Sequence, residues 1–143
     1  MENHLMTQNG IDEMLVLHGL WLESVNDGQK ANLRKAYLCR ANLRGADLRG
    51  ANLRGTHLQG ADLREADLHG ADMRGSNLRI ADLRDADLRH ANLQGAILYD
   101  TNLRGADLRG ANLQACSLCN AQLDGAIILY KKRKCKIRFE PLP

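Results

Sequence analysis

The most reactive side chains in this 143-residue chain belong to four cysteines and five histidines. Cys116 and Cys119 lie in CSLC, a spacing that can bind zinc or form a redox-active pair in other proteins. The histidines are scattered and form no evident set with a nucleophile and an orienting carboxylate. Whether the two cysteines can act together depends on the element that holds them.

That element is a five-residue repeat that runs without insertion from Ala31 to Tyr130. With the central residue called position i, the 20 units have Leu at i in 18, Ala at i−2 in 16, Asp or Asn at i−1 in 14 and Gly at i+2 in 10. A helix would scatter these apolar positions around its axis, and a flat strand would alternate them between two faces. The pattern therefore predicts a chain that bends at every fifth residue, with Leu and Ala inside a β-solenoid.

The exceptions to the repeat indicate how many units form one coil. Before the C-terminal units, position i−1 departs from Asp or Asn at four places that fall on one 20-residue register, and a 15-residue coil would split them between two columns. They are Tyr37, His57, Ile97 and Ser117. We therefore predict an all-β solenoid with four sides per coil and about five coils.

The four sides can be named from this register. Side one comprises the units that begin at residues 31, 51, 71, 91 and 111, and sides two, three and four begin five, ten and fifteen residues later. Positions i and i−2 of every side are predicted to fill the interior, where a fully buried Leu contributes roughly 1.5–3 kcal/mol. On side one the predicted core residues are Leu33, Leu53, Met73, Leu93 and Leu113.

The same register separates the two cysteines of CSLC. Cys116 is at position i−2 and is expected to point inwards, whereas Cys119 is at i+1 and is expected to point outwards, so the two cannot hold one metal ion. Cys39 and Cys119 lie four coils apart, about 19 Å, which is too far for a disulfide. Pairing of Cys119 with Cys135 stays open. We expect no metal, no cofactor and no enzymatic activity.

Side four carries stacked carboxylates, which could hold a metal or supply a general acid. Like charges stacked in a sheet repel, but a basic column lies beside them. We therefore expect a solvated face of weak ion pairs. The residues are Asp47, Asp67, Asp87 and Asp107 beside Arg49, His69, Arg89 and Arg109.

Side two is the irregular side of the repeat. Its units AYLCR, THLQG, SNLRI, AILYD and CSLCN have no carboxylate at i−1 and hold most of the outward apolar groups of the repeat. An aromatic and aliphatic strip on a charged surface is typical of a protein contact; relaxed selection or cover by a terminal segment would also explain it. The predicted contact residues are Tyr37, His57, Gln59, Arg79, Ile97, Tyr99 and Cys119.

The segment before the repeat, residues 1–30, is acidic, with five acids and one lysine. Apolar residues at helical spacing predict a helix over about 11–22, and Asn9 with Asp12 forms a weak capping box. Because the first coil would otherwise expose its interior, we expect the helix to lie on it as a cap; a partner-binding helix is the alternative.

The segment after the repeat is basic, with six bases in residues 131–138. Such a tail could attract nucleic acid or anionic lipid; the alternative is a charged edge strand that blocks end-to-end stacking. The predicted organisation is an N-terminal segment (1–30), a repeat domain (31–130) and a basic tail (131–143).

Neither a secretory signal nor a membrane span is evident in the sequence. The N-terminus lacks a basic-then-apolar pattern, and no apolar run approaches the roughly 18 residues that a spanning helix needs. We expect a cytoplasmic monomer with free thiols.

Units such as ANLRG (51–55) and ADLRG (106–110) match the pattern A(D/N)LXX, so 100 of the 143 residues resemble the pentapeptide-repeat family. Residues 17–33 are also similar to lead-in sequences of cyanobacterial members. The resemblance implies a right-handed quadrilateral β-helix. Some members bind DNA gyrase by mimicking DNA, but the net charge of +3 and the basic tail disfavour that function here.

We predict a non-enzymatic interaction or scaffold protein that binds another protein through side two. The alternatives are a DNA-mimicking modulator of DNA gyrase, and binding of nucleic acid or an anionic membrane through residues 131–138.

Overall fold

The repeat folds into a β-solenoid whose neighbouring coils pair at a constant spacing. The computed structural model describes residues 6–24 and 28–128. Within these ranges the repeat pairs through isolated parallel bridges, each between residues 20 apart, from Asn32 with Asn52 to Asp107 with Ile127. Four units therefore separate paired residues, which is the spacing that the exceptions to the repeat predict.

Backbone hydrogen bonds along the axis of the solenoid hold each unit to its neighbours. The Leu53 N–H donates to the Asp72 carbonyl at 2.8 Å, and the Asp72 N–H donates back to the Ala51 carbonyl at 2.9 Å. A third bond joins the Gly55 N–H to the Arg74 carbonyl at 2.9 Å. Because the same three bonds recur from unit to unit, the peptide groups of the interior are satisfied without long strands.

The corner between units is a residue in the left-handed conformation at position i+2. Every described i+2 residue, from Lys35 to Gly125, has a φ between 54° and 72°. A backbone hydrogen bond to the preceding unit closes each turn. For example, the Thr56 N–H donates to the Leu53 carbonyl at 3.2 Å. Glycine suits this conformation, yet nine other residues also adopt it, among them the β-branched Ile80.

The interior is filled by the small and large apolar residues that the repeat predicts. Of the side-one residues, Leu33, Leu53, Met73 and Leu93 are at most 2% exposed, whereas Leu113 is only partly buried because it lies in the last described coil. Where threonine replaces alanine at i−2, its hydroxyl stays satisfied. Thr101 Oγ1, for example, donates to the Leu78 carbonyl at 2.8 Å.

Helix α1 spans Gln8–Leu22 and begins three residues before the predicted start. The predicted capping box is wrong, because Thr7 is the N-cap and its hydroxyl accepts from the Gly10 N–H at 3.2 Å. Asp12 instead accepts from the Gln8 side chain at 2.9 Å. Gln8, Asn9 and Gly10 at the start of α1 are not apolar. The helical spacing of apolar residues, which predicts the helix, therefore does not extend to its first turn.

Helix α1 lies against the first coil through apolar packing and hydrogen bonds. Ile11 is buried with the core leucines, and Met14 and Leu15 pack against them. The Gln8 amide pairs with the backbone of Asn42, donating to its carbonyl at 3.0 Å and accepting from its N–H at 3.3 Å.

His18 of α1 is fully buried against the solenoid. Its Nδ1 accepts from the Ala31 N–H at 3.1 Å, and its Nε2 donates to the Arg49 carbonyl at 3.0 Å. A peptide N–H only donates and a carbonyl only accepts, so the ring is neutral with its proton on Nε2. Burial is the main cause that lowers the pKa of His18 below its ordinary value of 6.5.

We expect Leu68→Ala to lower the free energy of unfolding by about 2–5 kcal/mol, because it leaves a cavity at a fully buried site. The matched substitution Leu123→Ala should cost less than half as much, since Leu123 is only partly buried. Urea denaturation followed by circular dichroism measures both values. Equal losses for the two variants would contradict this gradient of burial along the solenoid.

We also expect the free energy of unfolding to fall as the pH is lowered from about 7 to about 5. The unfolded chain protonates His18 near its ordinary pKa of 6.5, whereas the folded chain, with its lowered pKa, resists protonation until lower pH. The unfolded state therefore binds more protons in this window, which destabilises the fold. Urea denaturation of His18→Gln across the window should show a smaller loss, and an undiminished loss would count against His18 as its source.

Candidate functional site

The Asp or Asn at position i−1 has a structural task on the outside of the solenoid. Its Oδ1 accepts a hydrogen bond from the backbone N–H of position i+1, as Asp62 does from Arg64 at 3.2 Å and Asn92 does from Gln94 at 3.2 Å. All 14 units with Asp or Asn at i−1 make this bond. The side chain thereby supports the turn that leads into each corner.

Four of the five units of side two lack this hydrogen bond. Tyr37, His57, Ile97 and Ser117 occupy position i−1 there, and only Asn77 keeps the bond, to the Arg79 N–H at 3.2 Å. The backbone nevertheless follows the same path, since Ile97 bridges Asn77 and Ser117 like any other unit. Side two therefore keeps the fold while using different outward side chains.

The N-terminal part of side two is an aromatic stack beside a thiol. The rings of Tyr37 and His57 lie 4.4 Å apart at an angle of 4°. The Cys39 thiol donates to Gln59 Oε1 at 3.2 Å. Both pairs join residues 20 apart, so the stacking of coils brings them together.

The C-terminal part of side two presents apolar groups to solvent. Ile97 is 41% exposed, and the Arg79 guanidinium lies over the Tyr99 ring, 5.1 Å from its centre. Ile80, at the corner that follows Arg79, is 58% exposed. Ile80 is absent from the contact residues predicted from the sequence, although a β-branched apolar residue where the repeat favours glycine is a visible signal.

The two cysteines of CSLC lie in different surroundings. The Cys116 thiol donates to the Leu93 carbonyl at 2.8 Å and is partly buried, whereas Cys119 is exposed. The inward and outward orientations follow from their positions in the unit. Within residues 6–24 and 28–128, no group of three or more His, Cys, Asp or Glu residues could hold a metal ion.

The acidic column of side four is neutralised by its neighbouring arginines. Arg89 Nε donates to both oxygens of Asp87 at 2.9 Å and lies 3.8 Å from Asp107 of the next coil. Hydrogen bonding from the Arg89 side chain is the main cause that lowers the pKa of Asp87, and Arg109 does the same for Asp107. These carboxylates are therefore ionised and paired, and they lack the raised pKa of a general acid.

His69 replaces arginine once in this column and meets a second histidine. The rings of His69 and His90 are 5.4 Å apart in an edge-to-face arrangement. Asp67 instead forms an ion pair with Arg49 of the preceding coil, with 3.6 Å between Arg49 Nε and Asp67 Oδ2.

The basic tail, with Cys135, lies outside the described residues, so the predictions made for residues 131–138 stay predictions. Among the residues that the structure does describe, no helix combines the length and the apolar character that crossing a membrane requires.

Comparisons with known proteins agree with the repeat. A family model described as pentapeptide repeats matches in eight copies, over residues 29–60, 41–79, 81–118 and 101–128. No curated protein matches the chain.

Several solved structures are similar to this chain. The pentapeptide repeat protein Rfr23 from the cyanobacterium Cyanothece 51142 is 37% identical over 68% of this chain and 63% of its own, with a TM-score of 0.46. A pentapeptide repeat protein from the thylakoid lumen of Arabidopsis thaliana is 30% identical over 67% of this chain and 60% of its own, with a TM-score of 0.44. One from Nostoc PCC 7120 is 28% identical over 80% of this chain and 93% of its own, with a TM-score of 0.47.

This chain thus covers less than two thirds of the first two relatives. The family model nevertheless matches well over half of this chain, within residues 29–128. The chain belongs to the pentapeptide repeat family.

Proposed function

We propose that this protein is a non-enzymatic interaction or scaffold protein that binds another protein through side two. The observation that carries the proposal is the loss of the Asp or Asn hydrogen bond at Tyr37, His57, Ile97 and Ser117, while the other three sides keep it in every unit up to Asn112. A surface that omits the structural residue and carries aromatic and aliphatic groups instead is a candidate contact surface.

The departures from the repeat carry an energetic cost. A hydrogen bond of this kind contributes about 0.5–1.5 kcal/mol. A left-handed β-branched residue such as Ile80 costs roughly 1–2 kcal/mol. Ile80 is mostly exposed, so burial does not offset its strain. Strain that the fold does not require is a reason to expect a functional role.

The composition of side two indicates the kind of partner. Ile80, Ile97 and Tyr99 offer an apolar strip, and an apolar surface on the partner would bury it. Arg79 lies over Tyr99 and forms no ion pair within the described part of the chain, which leaves its charge available for a partner's carboxylate. Aromatic residues and arginine are the residue types that dominate protein interfaces.

We also infer the finer features of the scaffold. The family resemblance supports a right-handed, four-sided helix of about five coils. The contacts of Ile11, His18 and Gln8 with the first coil support α1 as its N-terminal cap. The cytoplasmic compartment and the monomeric state stay predictions.

The two alternative functions have less support. A DNA mimic needs a strongly acidic surface, whereas this chain has a net charge of +3 and its side-four carboxylates are paired with arginines. Binding of nucleic acid or an anionic membrane would depend on residues 131–138. Inhibition of gyrase-catalysed DNA supercoiling by this protein would favour the DNA mimic. Salt-sensitive binding of nucleic acid or anionic vesicles that is lost on deletion of residues 131–143 would favour the second alternative.

The proposal is tested by replacing Tyr37, Ile97 and Tyr99 with serine. A control variant replaces Arg34, Gln94 and Gln114 of side one with serine, because these outward positions i+1 take part in the turn only through their backbone N–H groups. A partner is identified by affinity purification from the native cells, purified, and titrated against each variant by calorimetry. We expect the side-two variant to bind at least about tenfold more weakly and the control to bind like the wild type, since buried aromatic anchors dominate interfaces.

Thermal unfolding must show that the side-two variant remains folded, because the Tyr37–His57 stack also holds coils together. Unchanged affinity in a folded side-two variant would rule out side two as the contact surface.

Ile80→Gly provides a second test in which stability and binding should move in opposite directions. Removing the left-handed β-branched residue should raise the free energy of unfolding by about 1 kcal/mol, while loss of the exposed side chain should weaken partner binding. Asn120→Gly at the equivalent corner is the control, because Asn tolerates this conformation. If Ile80→Gly were more stable and bound the partner as tightly as the wild type, Ile80 would not belong to the contact surface.

A further inference from the structure

The arginines at position i+1 are balanced by carboxylates on sides three and four, but mostly not on sides one and two. All seven on sides three and four have a carboxylate oxygen within 3.1 Å. Of the four on sides one and two, only Arg74 has such a partner, which is Asp72. Arg54 lies 4.0 Å from the same carboxylate. Arg34 and Arg79 form no ion pair within the described part of the chain.

The cause of this difference on side one is asparagine in place of aspartate at position i−1. Asn32 and Asn52 keep the hydrogen bond from the backbone N–H of position i+1, at 3.5 and 3.3 Å, but they bring no negative charge. Asn42 of side three does the same, yet Arg44 finds Glu65 of the next coil at 2.6 Å. Side one has no acidic residue in its first two coils, so its arginines there stay unbalanced.

The unbalanced cations at the N-terminal end of side one form a basic cluster, which comprises Lys30, Arg34, Lys35 and Arg54. All four are exposed. Arg34 and Arg54 hold the same position in successive coils, about 4.8 Å apart along the axis. Lys35 Cγ lies over Gly55, 3.5 Å from the position that a Cβ would take there. Because like charges at such spacing repel, an anion bound to the cluster would be stabilised.

An aromatic ring borders the basic cluster. Trp21 is 39% exposed, and Lys30 Nζ lies over its ring, 5.5 Å from the centre. The ring of the buried His18 stacks on Trp21, with 5.4 Å between the centres and an angle of 11°. The indole is therefore held in one orientation by α1, whereas the lysine stem over it is flexible.

We propose that the basic cluster binds single-stranded nucleic acid. Phosphates of the strand pair with Arg34, Lys35 and Arg54. One base stacks on Trp21 in place of Lys30, whose ammonium group then meets a phosphate as well. This site is separate from the protein-contact surface proposed on side two.

Two observations select this class of ligand. The cations follow one another along side one, which fits an extended polyanion rather than one small anion. The ring of Trp21 beside them offers a stacking surface that a base can use and that an acidic peptide, with carboxylates alone, cannot. A base that stacks on a side chain must be unpaired, so the ligand is a single strand and not a duplex.

Trp21 is the only tryptophan of the chain, so its fluorescence reports on this site. We expect oligothymidylate of about 15 nucleotides, within the usual range of site sizes, to quench this fluorescence when it is titrated into the full-length protein. A polyglutamate peptide of about the same charge should bind at least about tenfold more weakly, because it lacks the stacking contribution. Binding of the oligonucleotide without quenching would overturn the proposal. Equal or tighter binding of polyglutamate would do so too, in favour of an acidic protein ligand.

Two double variants separate the basic cluster from the net charge of the protein. Arg34→Gln with Arg54→Gln removes two charges from side one. Arg44→Gln with Arg64→Gln removes two charges from the same position of side three, in the same two coils. The two variants therefore have the same net charge and differ only in the side that is changed.

We expect the side-one variant to bind labelled oligothymidylate at least about fivefold more weakly than the wild type at about 0.1 M salt. The slope of log Kobs against log salt concentration should become less steep by about 1.4, since each phosphate contact of a single strand contributes about 0.7. The side-three variant should stay within about twofold of the wild type, because carboxylates already balance its arginines and salt screens the remaining field. Fluorescence anisotropy measures both. Equal losses in the two variants would overturn the proposal, since net charge or the basic tail would then account for binding.

Discussion

The left-handed corner at position i+2 is the constraint on which the structure depends. All described corners share a φ between 54° and 72°, whether the residue is glycine or not. This one conformation turns the chain after every unit, so positions i−2 and i face inwards on every side. The same turn aligns each unit with the one 20 residues later, where the axial hydrogen bonds form. Glycine makes the corner easy, but the hydrogen bonds and the packing impose it on other residues too.

Once the corner fixes the backbone, the outside of the solenoid divides into structural and free positions. The Asp or Asn at i−1 supports the turn, and an Arg at i+1 commonly pairs with that Asp, as Arg64 does with Asp62 and Arg84 with Asp82. Such exposed pairs contribute little individually, but they pair most carboxylates of sides three and four with an arginine. Side two departs from this arrangement without changing the backbone. Its side chains are therefore available for recognition, as proposed above.

The two ends of the solenoid show what the repeat cannot supply by itself. A repeating unit satisfies its neighbours but leaves an apolar face and open peptide groups at each end. At the N-terminal end α1 supplies Ile11 to the core and His18 to the backbone of Ala31 and Arg49. This contact depends on a neutral imidazole, so the N-terminal end is coupled to pH. Within the described residues, no comparable element lies on the C-terminal end.

Because spacing alone fixes which side chains point inwards in a repeat, the sequence by itself determined the 20-residue register, the apolar interior and the separation of Cys116 from Cys119. It also identified side two, since irregular units stand out against a strict period. Only the tertiary structure decided that α1 begins at Gln8, that His18 is buried between two backbone groups, and that Ile80 holds a strained, exposed corner. These features arise from contacts that the local pattern does not encode. His18, for example, meets a carbonyl 31 residues away, and such contacts form only when the coils stack.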